Sequence, residues 1–210
     1  MLKPNKTIDK KELDALVKAL SQGSVAAYST IYRLYYPRLY RYGLQISRDP
    51  AFVEDILQDL FTYLAENCRK LRRVSNFEVY LFQSVKRNIF TRLAREQQSR
   101  NSRDRYRQRT EPLEDQFAPA PDEALIADES AARRSARLRA AMAELPDHQR
   151  EILYLRYFEE MSYQEICQIL DLNHQVARNY TSRAIRQLKK ALLNLELQFI
   201  LLFFSILSGK

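Results

Sequence analysis

The chain has 210 residues, enough for one or two domains, and carries 34 Lys plus Arg against 26 Asp plus Glu, a net charge of +8. An excess of that size points to a polyanionic partner, either nucleic acid or an anionic membrane surface. Only 3 Gly and no Trp are present, Leu, Ala, Arg, Glu and Gln are plentiful, and no stretch alternates apolar and polar residues for long, which argues for an all-α chain and against a sheet.

Metal and nucleotide chemistry find no support. Cys68 and Cys167 lack ligand spacing, and His148 and His174 add no zinc-type set. Cys167 follows Ile166 in a helical pattern and reads as a small buried hydrophobe. There is no P-loop, dinucleotide fingerprint or nucleophile elbow, so no cofactor is implied. The opening MLKPNKTIDKKELDAL has no apolar core of the signal-peptide kind, and a cytoplasmic protein is expected.

A first helical block is expected over residues 9–97. Leu13, Leu16, Val17 and Leu20 make one apolar stripe, which Gly23 ends. Ser24 can cap the next helix, where Tyr28, Ile31, Tyr32, Tyr35, Leu39 and Tyr42 keep helical spacing and Pro37 should introduce a kink. Asp49-Pro50 is a cap with proline at the first helical position. It opens a third helix with Val53, Ile56, Leu57, Leu60 and Leu64 as its core stripe. On another face of that helix lie Asp55, Gln58, Asp59 and Thr62. That pattern suits a solvated acidic face and equally a docking surface for a basic helix. A fourth helix starts near Asn76 and interleaves Lys86, Arg87, Asn88, Arg92 and Arg95 with Phe77, Tyr80, Phe82 and Phe90. Cations that hold phosphates beside rings that stack on unpaired bases, at roughly 1–3 kcal/mol per base, suit single-stranded DNA. Several of these rings must be core, and spacing alone leaves Tyr80 and Phe90 unassigned between core and surface.

Charge then changes abruptly. Residues 100–109 are dense in Arg, whereas 110–130 have no Lys or Arg and carry Glu111, Glu114, Asp115, Asp122, Glu123, Asp128 and Glu129 with Pro112, Pro119 and Pro121. Residues 98–130 therefore read as a flexible linker with an acidic stretch. A second helical block covers residues 131–193. Within it Ser162 and Glu165 have the S-x-x-E spacing of a capping box, and Ile166, Ile169 and Leu170 follow at helical steps. Asp171-Leu172-Asn173 makes a turn, with Asp171 where glycine is common and Asn173 as the next N-cap. Ala177, Thr181, Ala184 and Leu188 then form a stripe of mostly small residues, opposite Gln175, Arg178, Asn179, Ser182 and Arg186. A helix-turn-helix accounts for both faces, the polar one supplying donors for base edges and phosphates in a major groove. A helical hairpin with a solvated basic face accounts for them less fully.

The tail, residues 194–210, contains the run FILLFF, too short for a membrane span. A docking helix is expected there, against this chain, a second copy or a partner.

Taken together, these residues resemble a bacterial sigma factor of the extracytoplasmic-function type. YSTIYRLYYPRLYRYGLQI is similar to the opening helix of that family's domain 2, and DPAFVEDILQDLFTYLAEN resembles its polymerase-docking helix, with D-x-x-Q-D-x-F at Asp55, Gln58, Asp59 and Phe61. NFEVYLFQSVKRNIFTRLARE looks like the segment that reads the −10 element, and residues 145–190 resemble domain 4. Asp171 in place of the usual turn glycine and the recognition helix HQVARNYTSRA depart from the commonest pattern.

The resemblance implies two small helical domains, sigma domain 2 and a helix-turn-helix sigma domain 4, joined by the acidic linker, in a protein that is not itself an enzyme. Its partners would be core RNA polymerase and promoter DNA, together with an anti-sigma protein in many relatives. Asp55, Gln58, Asp59, Phe61 and Thr62 would bind the polymerase, through the basic clamp coiled coil of its largest subunit. Tyr80, Lys86, Arg87, Asn88, Phe90, Arg92 and Arg95 would hold and read the opened −10 strand. His174, Gln175, Arg178, Asn179, Ser182, Arg183 and Arg186 would face the −35 major groove. A plain helix-turn-helix regulator would leave the Asp55 face and the fourth helix without a task, and a membrane-associated adaptor would leave the helix-turn-helix without one.

Overall fold

The computed structural model of the chain describes residues 8–104, 138 and 140–208, with side chains at 8–96, 138 and 140–191. Every regular element among the described residues is helical. They fall into two compact units, one built on the four N-terminal helices and the other on the C-terminal ones. The acidic stretch 110–130 lies outside the described residues.

The first unit begins with α1 (Lys10–Ser21), α2 (Val25–Ser47) and α3 (Pro50–Glu66). A 3-10 turn at Cys68–Arg73 leads into α4 (Phe77–Asp104). The boundaries have local causes. Gly23 takes φ 88, and Ser24 Oγ then accepts from the Ala27 N–H at 3.3 Å to start α2. Asp49 Oδ1 accepts from the Phe52 N–H at 3.1 Å, with Pro50 at the first helical position. Asn76 Oδ1 does the same for the Val79 N–H at 3.1 Å and opens α4. The last helix of this unit runs past Gln97 to Asp104, through residues that include neither Gly nor Pro.

The helix α2 runs from Val25 to Ser47 with Pro37 inside it. Pro37 lies on the exposed side, as does Arg33 one turn earlier, so water can satisfy the Arg33 carbonyl that proline leaves without a donor.

The core of the first unit joins Ile31, Tyr35, Leu39 and Tyr42 of α2 to Val53, Ile56, Leu57, Leu60 and Leu64 of α3 and to Leu81, Phe82, Val85 and Ile89 of α4. Leu13 and Leu20 close it from α1, and Leu16 and Val17 are only half-buried. Arg38 enters this core from α2. It pairs with Glu78 of α4 at 2.5 Å, and its guanidinium lies 5.0 Å from the Tyr35 ring centroid and 5.6 Å from that of Phe82.

At Gly43 α2 comes close to α3. A Cβ there would stand 2.6 Å from Val53 Cγ1. Val53 is β-branched and fully buried, so it has no alternative rotamer into open space.

The second unit contains α5 (Asp147–Tyr157), α6 (Tyr163–Leu170) and α7 (His174–Ser208), preceded by helical residues 140–143. Leu145 and Leu153 pack with Ala184 of α7, and Met142, Ile185 and Leu188 complete that cluster. The buried Tyr154 hydroxyl donates to Glu159 at 3.0 Å, which satisfies a carboxylate that would otherwise be buried at high cost.

Replacing Gly43 with Ala should lower the stability of the first unit. Helix propensity favours Ala by about 1 kcal/mol, but overpacking against Val53 costs about 1–3 kcal/mol. A net loss of up to about 2 kcal/mol is expected from urea denaturation. In a Val53→Ala background the same substitution should instead stabilise, because the clash is gone. Equal effects in both backgrounds would mean that Val53 does not limit the approach.

Candidate nucleic-acid and partner interfaces

Successive residues of α3 are rotated by about 100°, and this places its outer side chains in an arc. From the α2 side the order is Phe61, Glu54, Gln58, Thr62, Asp55 and Asp59. Glu54, Asp55, Gln58, Asp59 and Thr62 are all exposed. Phe61 differs: it is 2% exposed and turned under α2. Its ring centroid lies 4.8 Å from Tyr32, 6.0 Å from Tyr36 and 6.4 Å from Tyr28, whose hydroxyl donates to the Phe61 carbonyl at 3.2 Å. In this structure Phe61 therefore supports a face and does not itself form one.

Toward the far end of the arc Asp55 meets α4. Arg92 Nη2 lies 3.3 Å from Asp55 Oδ2, and its guanidinium is 5.6 Å from the Phe52 ring centroid. Arg92 Nη1 is buried with no hydrogen-bond partner among the described residues. The structure thus joins a residue expected to bind polymerase to one expected to bind DNA.

The remaining α4 candidates separate. Arg87, Asn88 and Arg95 are exposed. Phe90 is 51% exposed, with Lys86 Nζ 5.5 Å from its ring centroid, so it belongs to the surface and carries its own cation. Tyr80 is half-buried and stacks with Phe77 at 6.4 Å. Burial, then the neighbouring Tyr63, pushes its phenol above the ordinary tyrosine range, which keeps the ring neutral. Phe77 and Phe82 are core.

In the second unit the turn between α6 and α7 has complete capping. The Ser162 N–H donates to Glu165 Oε2 at 2.9 Å, and the Glu165 N–H donates back to Ser162 Oγ at 3.3 Å. Asn173 Oδ1 accepts from the Val176 N–H at 2.8 Å. Between them Asp171 adopts φ 54, and the Leu172 N–H reaches the Cys167 carbonyl at 3.1 Å, the bond of a Schellman ending. Asp171 thus holds the left-handed position at which glycine is common. Burial raises the Cys167 thiol above its usual value, in keeping with a packing role.

Ala177, Thr181 and Ala184 of α7 face inward. His174, Gln175, Arg178, Asn179, Ser182, Arg183 and Arg186 are all exposed on its other sides. Gln175 Nε2 donates to Asn179 Oδ1 at 3.3 Å. The Tyr163 ring centroid lies 5.5 Å from that of His174 and 5.7 Å from the Arg178 guanidinium, beside the start of α7.

One surface was not separated by reading the sequence. Tyr28, Tyr32, Tyr36 and Tyr40 recur every four residues along α2, distinct from the buried Tyr35 and Tyr42. Tyr32 and Tyr36 stack at 4.9 Å, and Tyr36 and Tyr40 at 6.3 Å with planes 7° apart. The four-residue period was available in the sequence, but the interleaved core tyrosines of the same helix masked it.

Residues 31–99, within the first unit, match the family model described as Sigma-70 region 2, and residues 135–188 match Sigma-70, region 4. The extracytoplasmic-function sigma factor SigK of Mycolicibacterium vanbaalenii is 27% identical over 183 residues, spanning 86% of this chain and 89% of the relative. SigM of Bacillus subtilis, of the same group, is 28% identical over 164 residues, spanning 78% of this chain and 93% of the relative. Among solved structures, the sigma factor RpoE in complex with the anti-sigma factor NepR from Bartonella quintana is similar in fold. Its TM-score is 0.61 at 18% identity, over 80% of this chain and 98% of that one. CnrH, solved in complex with the cytosolic domain of CnrY, has a TM-score of 0.54 at 21% identity, over 86% of this chain and 96% of that one.

The left-handed Asp171 makes the turn a measurable quantity. Asp171→Gly should stabilise the second unit by about 1 kcal/mol, because a side chain at positive φ costs about that much relative to glycine. Asp171→Val, β-branched at the same φ, should destabilise by more than Asp171→Gly gains. Thermal unfolding of the three proteins gives the order, and a stabilising valine would be incompatible with this turn.

Proposed function

The chain belongs to the extracytoplasmic-function group of bacterial sigma factors, and from that membership we propose how its two units divide the work. As a sigma factor it binds core RNA polymerase and directs promoter recognition, DNA melting and transcription initiation. The observation that carries this reading is the order of the matches: region 2 falls on the α1–α4 unit and region 4 on the helix-turn-helix unit of one chain. A plain helix-turn-helix regulator would need only the second.

In this proposal residues 9–97 act as domain 2 and residues 131–193 as domain 4, with residues 98–130 as their tether and the apolar tail 194–210 available for association. Asp55, Gln58, Asp59 and Thr62 form the exposed face that meets the basic coiled coil of the largest polymerase subunit, and Phe61 supports it from below. Carboxylates facing a basic helix give register and a fast approach more than raw affinity.

Along α4, Arg87, Asn88 and Arg95 contact the opened −10 strand, while Phe90 with Lys86, and Tyr80, provide the stacking surfaces. Arg92 stands at the seam: it holds Asp55 in the free factor and reaches DNA only by leaving that pair. In the major groove of the −35 element, Arg178 and Asn179 are placed to read base edges. His174, Gln175, Ser182, Arg183 and Arg186 complete the surface toward bases and phosphates.

The polymerase supplies the chemistry and this chain the recognition, so the factor works without a catalytic group of its own, in the cytoplasm with the transcription machinery. No helix of the described residues is long and apolar enough to cross a membrane. Two relatives of similar fold are solved with anti-sigma proteins or fragments, and control by a partner of that kind is part of the proposal.

Transcription in vitro with purified core polymerase is the direct test. Promoter-dependent transcripts should require the added chain, and a gel shift on free duplex with no dependence on polymerase would favour the plain regulator. Asp55→Arg with Asp59→Arg should weaken core binding by about tenfold or more, since like charges then face the partner, with the fold intact by circular dichroism. Arg178→Ala should weaken −35 binding by about 1–3 kcal/mol, selectively at one base pair if it reads a base. Equal loss across all −35 sequences would assign it to phosphate.

A further inference from the structure

The tyrosine ridge of α2 borders the α3 arc and is not used by the function proposed above. Tyr32 is 39% exposed, and Tyr36 and Tyr40 are half-buried. Phe61 packs beneath Tyr28, Tyr32 and Tyr36, so the rings are held from below as well as by one another. Glu54, exposed, is close enough to raise the phenols of both Tyr40 and Tyr36, after burial as the main cause in each and, for Tyr36, after the neighbouring Tyr32. Gln58 lies one turn along α3 from Glu54 and three residues before Phe61, so the ridge continues directly into the polymerase-docking face.

Rigid stacked rings beside a carboxylate have a specific chemical preference. An aromatic face attracts a cation, and a guanidinium suits it better than an ammonium, because it is planar and more weakly hydrated. The inner side of the same helix illustrates this preference: Arg38 lies over Tyr35 and Phe82 and pairs with Glu78. On the outer side the same components, rings and a carboxylate, are present, but no cation lies over Tyr32, Tyr36 or Tyr40 among the described residues.

We propose that Tyr32, Tyr36 and Tyr40, with Glu54, are an arginine-binding half of the polymerase-docking surface, taking guanidinium groups from the same basic helix that meets Asp55, Gln58 and Asp59. This rests on the docking reading given above and extends it from α3 to α2. From Tyr32 to Tyr40 the ridge runs about 12 Å, at about 1.5 Å per residue, which matches two arginines two turns apart on a partner helix. The rings are already ordered, so binding loses little side-chain entropy, and tyrosine anchors of this kind dominate many interfaces.

The test is the affinity of the full-length factor for core polymerase, measured by competition with a labelled factor. Tyr32→Ala with Tyr36→Ala should weaken binding by about tenfold or more, whereas Tyr32→Phe with Tyr36→Phe should stay within about twofold, because the ring face carries the contact. Tyr32→Leu with Tyr36→Leu keeps apolar area but removes the π face and should bind as weakly as the alanine pair. Tyr32→Ala alone, at the most exposed ring, guards against a folding effect and should weaken binding in the same direction. Leucine variants that bind like the unsubstituted factor would overturn the arginine assignment and leave a merely apolar contact. If Asp55→Arg with Asp59→Arg abolishes binding and every tyrosine variant binds normally, the docking face stands and the ridge proposal falls. If none of these substitutions matters, the docking reading itself is lost.

Discussion

The close approach of α2 and α3 at Gly43 and Val53 sets the geometry on which both outer faces of the first unit depend. Without a Cβ at Gly43 the two helices come near enough for Phe61 to pass beneath the α2 tyrosines, and for the opposite side of α3 to reach α4 at Asp55 and Arg92. A larger residue at Gly43 would move α3 outward and act on both contacts at once. The exposed arc of α3 is therefore not only a pattern of polar residues. It is held at both ends, by stacked rings on one side and by an ion pair on the other.

Arginine–carboxylate pairs link α4 to both α2 and α3, and their surroundings give them different weights. Arg38 and Glu78 have side chains only 11% and 22% exposed, and two rings lie against the guanidinium. Removing one partner there would leave a largely buried charge, a loss of about 3 kcal/mol or more. Arg92 and Asp55 are 40% and 62% exposed, and water screens them, so the pair contributes at most about 1 kcal/mol. The first pair fixes α4 against α2. The second is weak enough to exchange partners when a basic surface or a phosphate arrives.

Local rules made much of this legible in the sequence. The caps at Ser24, Asp49 and Asn173 and the reciprocal bonds of Ser162 and Glu165 depend on residues three apart, and the hydrogen bonds stand where the spacing put them. The small-residue stripe of Ala177, Thr181 and Ala184 needed only helical periodicity. What was not legible depends on neighbours distant in sequence. Spacing could not tell the buried Tyr35 and Tyr42 from the outer Tyr28, Tyr32, Tyr36 and Tyr40, since one helix carries both sets and only the position of α3 separates them. Nor could it turn Arg92 away from Arg87 and toward Asp55, 37 residues earlier. Pro37 stands inside α2 with its exposed side turned so that water can partner the Arg33 carbonyl, an environment that spacing alone does not reveal.

The second unit shows how a departure from a pattern can be accommodated without changing its use. Asp171 takes the left-handed conformation at φ 54, at some cost in backbone energy, and still closes α6 with the bond from Leu172 to Cys167. The next helix then begins on its own cap at Asn173, so its direction is set by Asn173 and by the packing of Ala177 and Ala184, not by the identity of the turn residue. Because α7 is one helix from His174 to Ser208, whatever binds its distal end is connected rigidly to the surface that carries Arg178 and Asn179. A partner on the tail would then act on that surface by moving or blocking an entire helix, with no need to touch the exposed residues of its first turns.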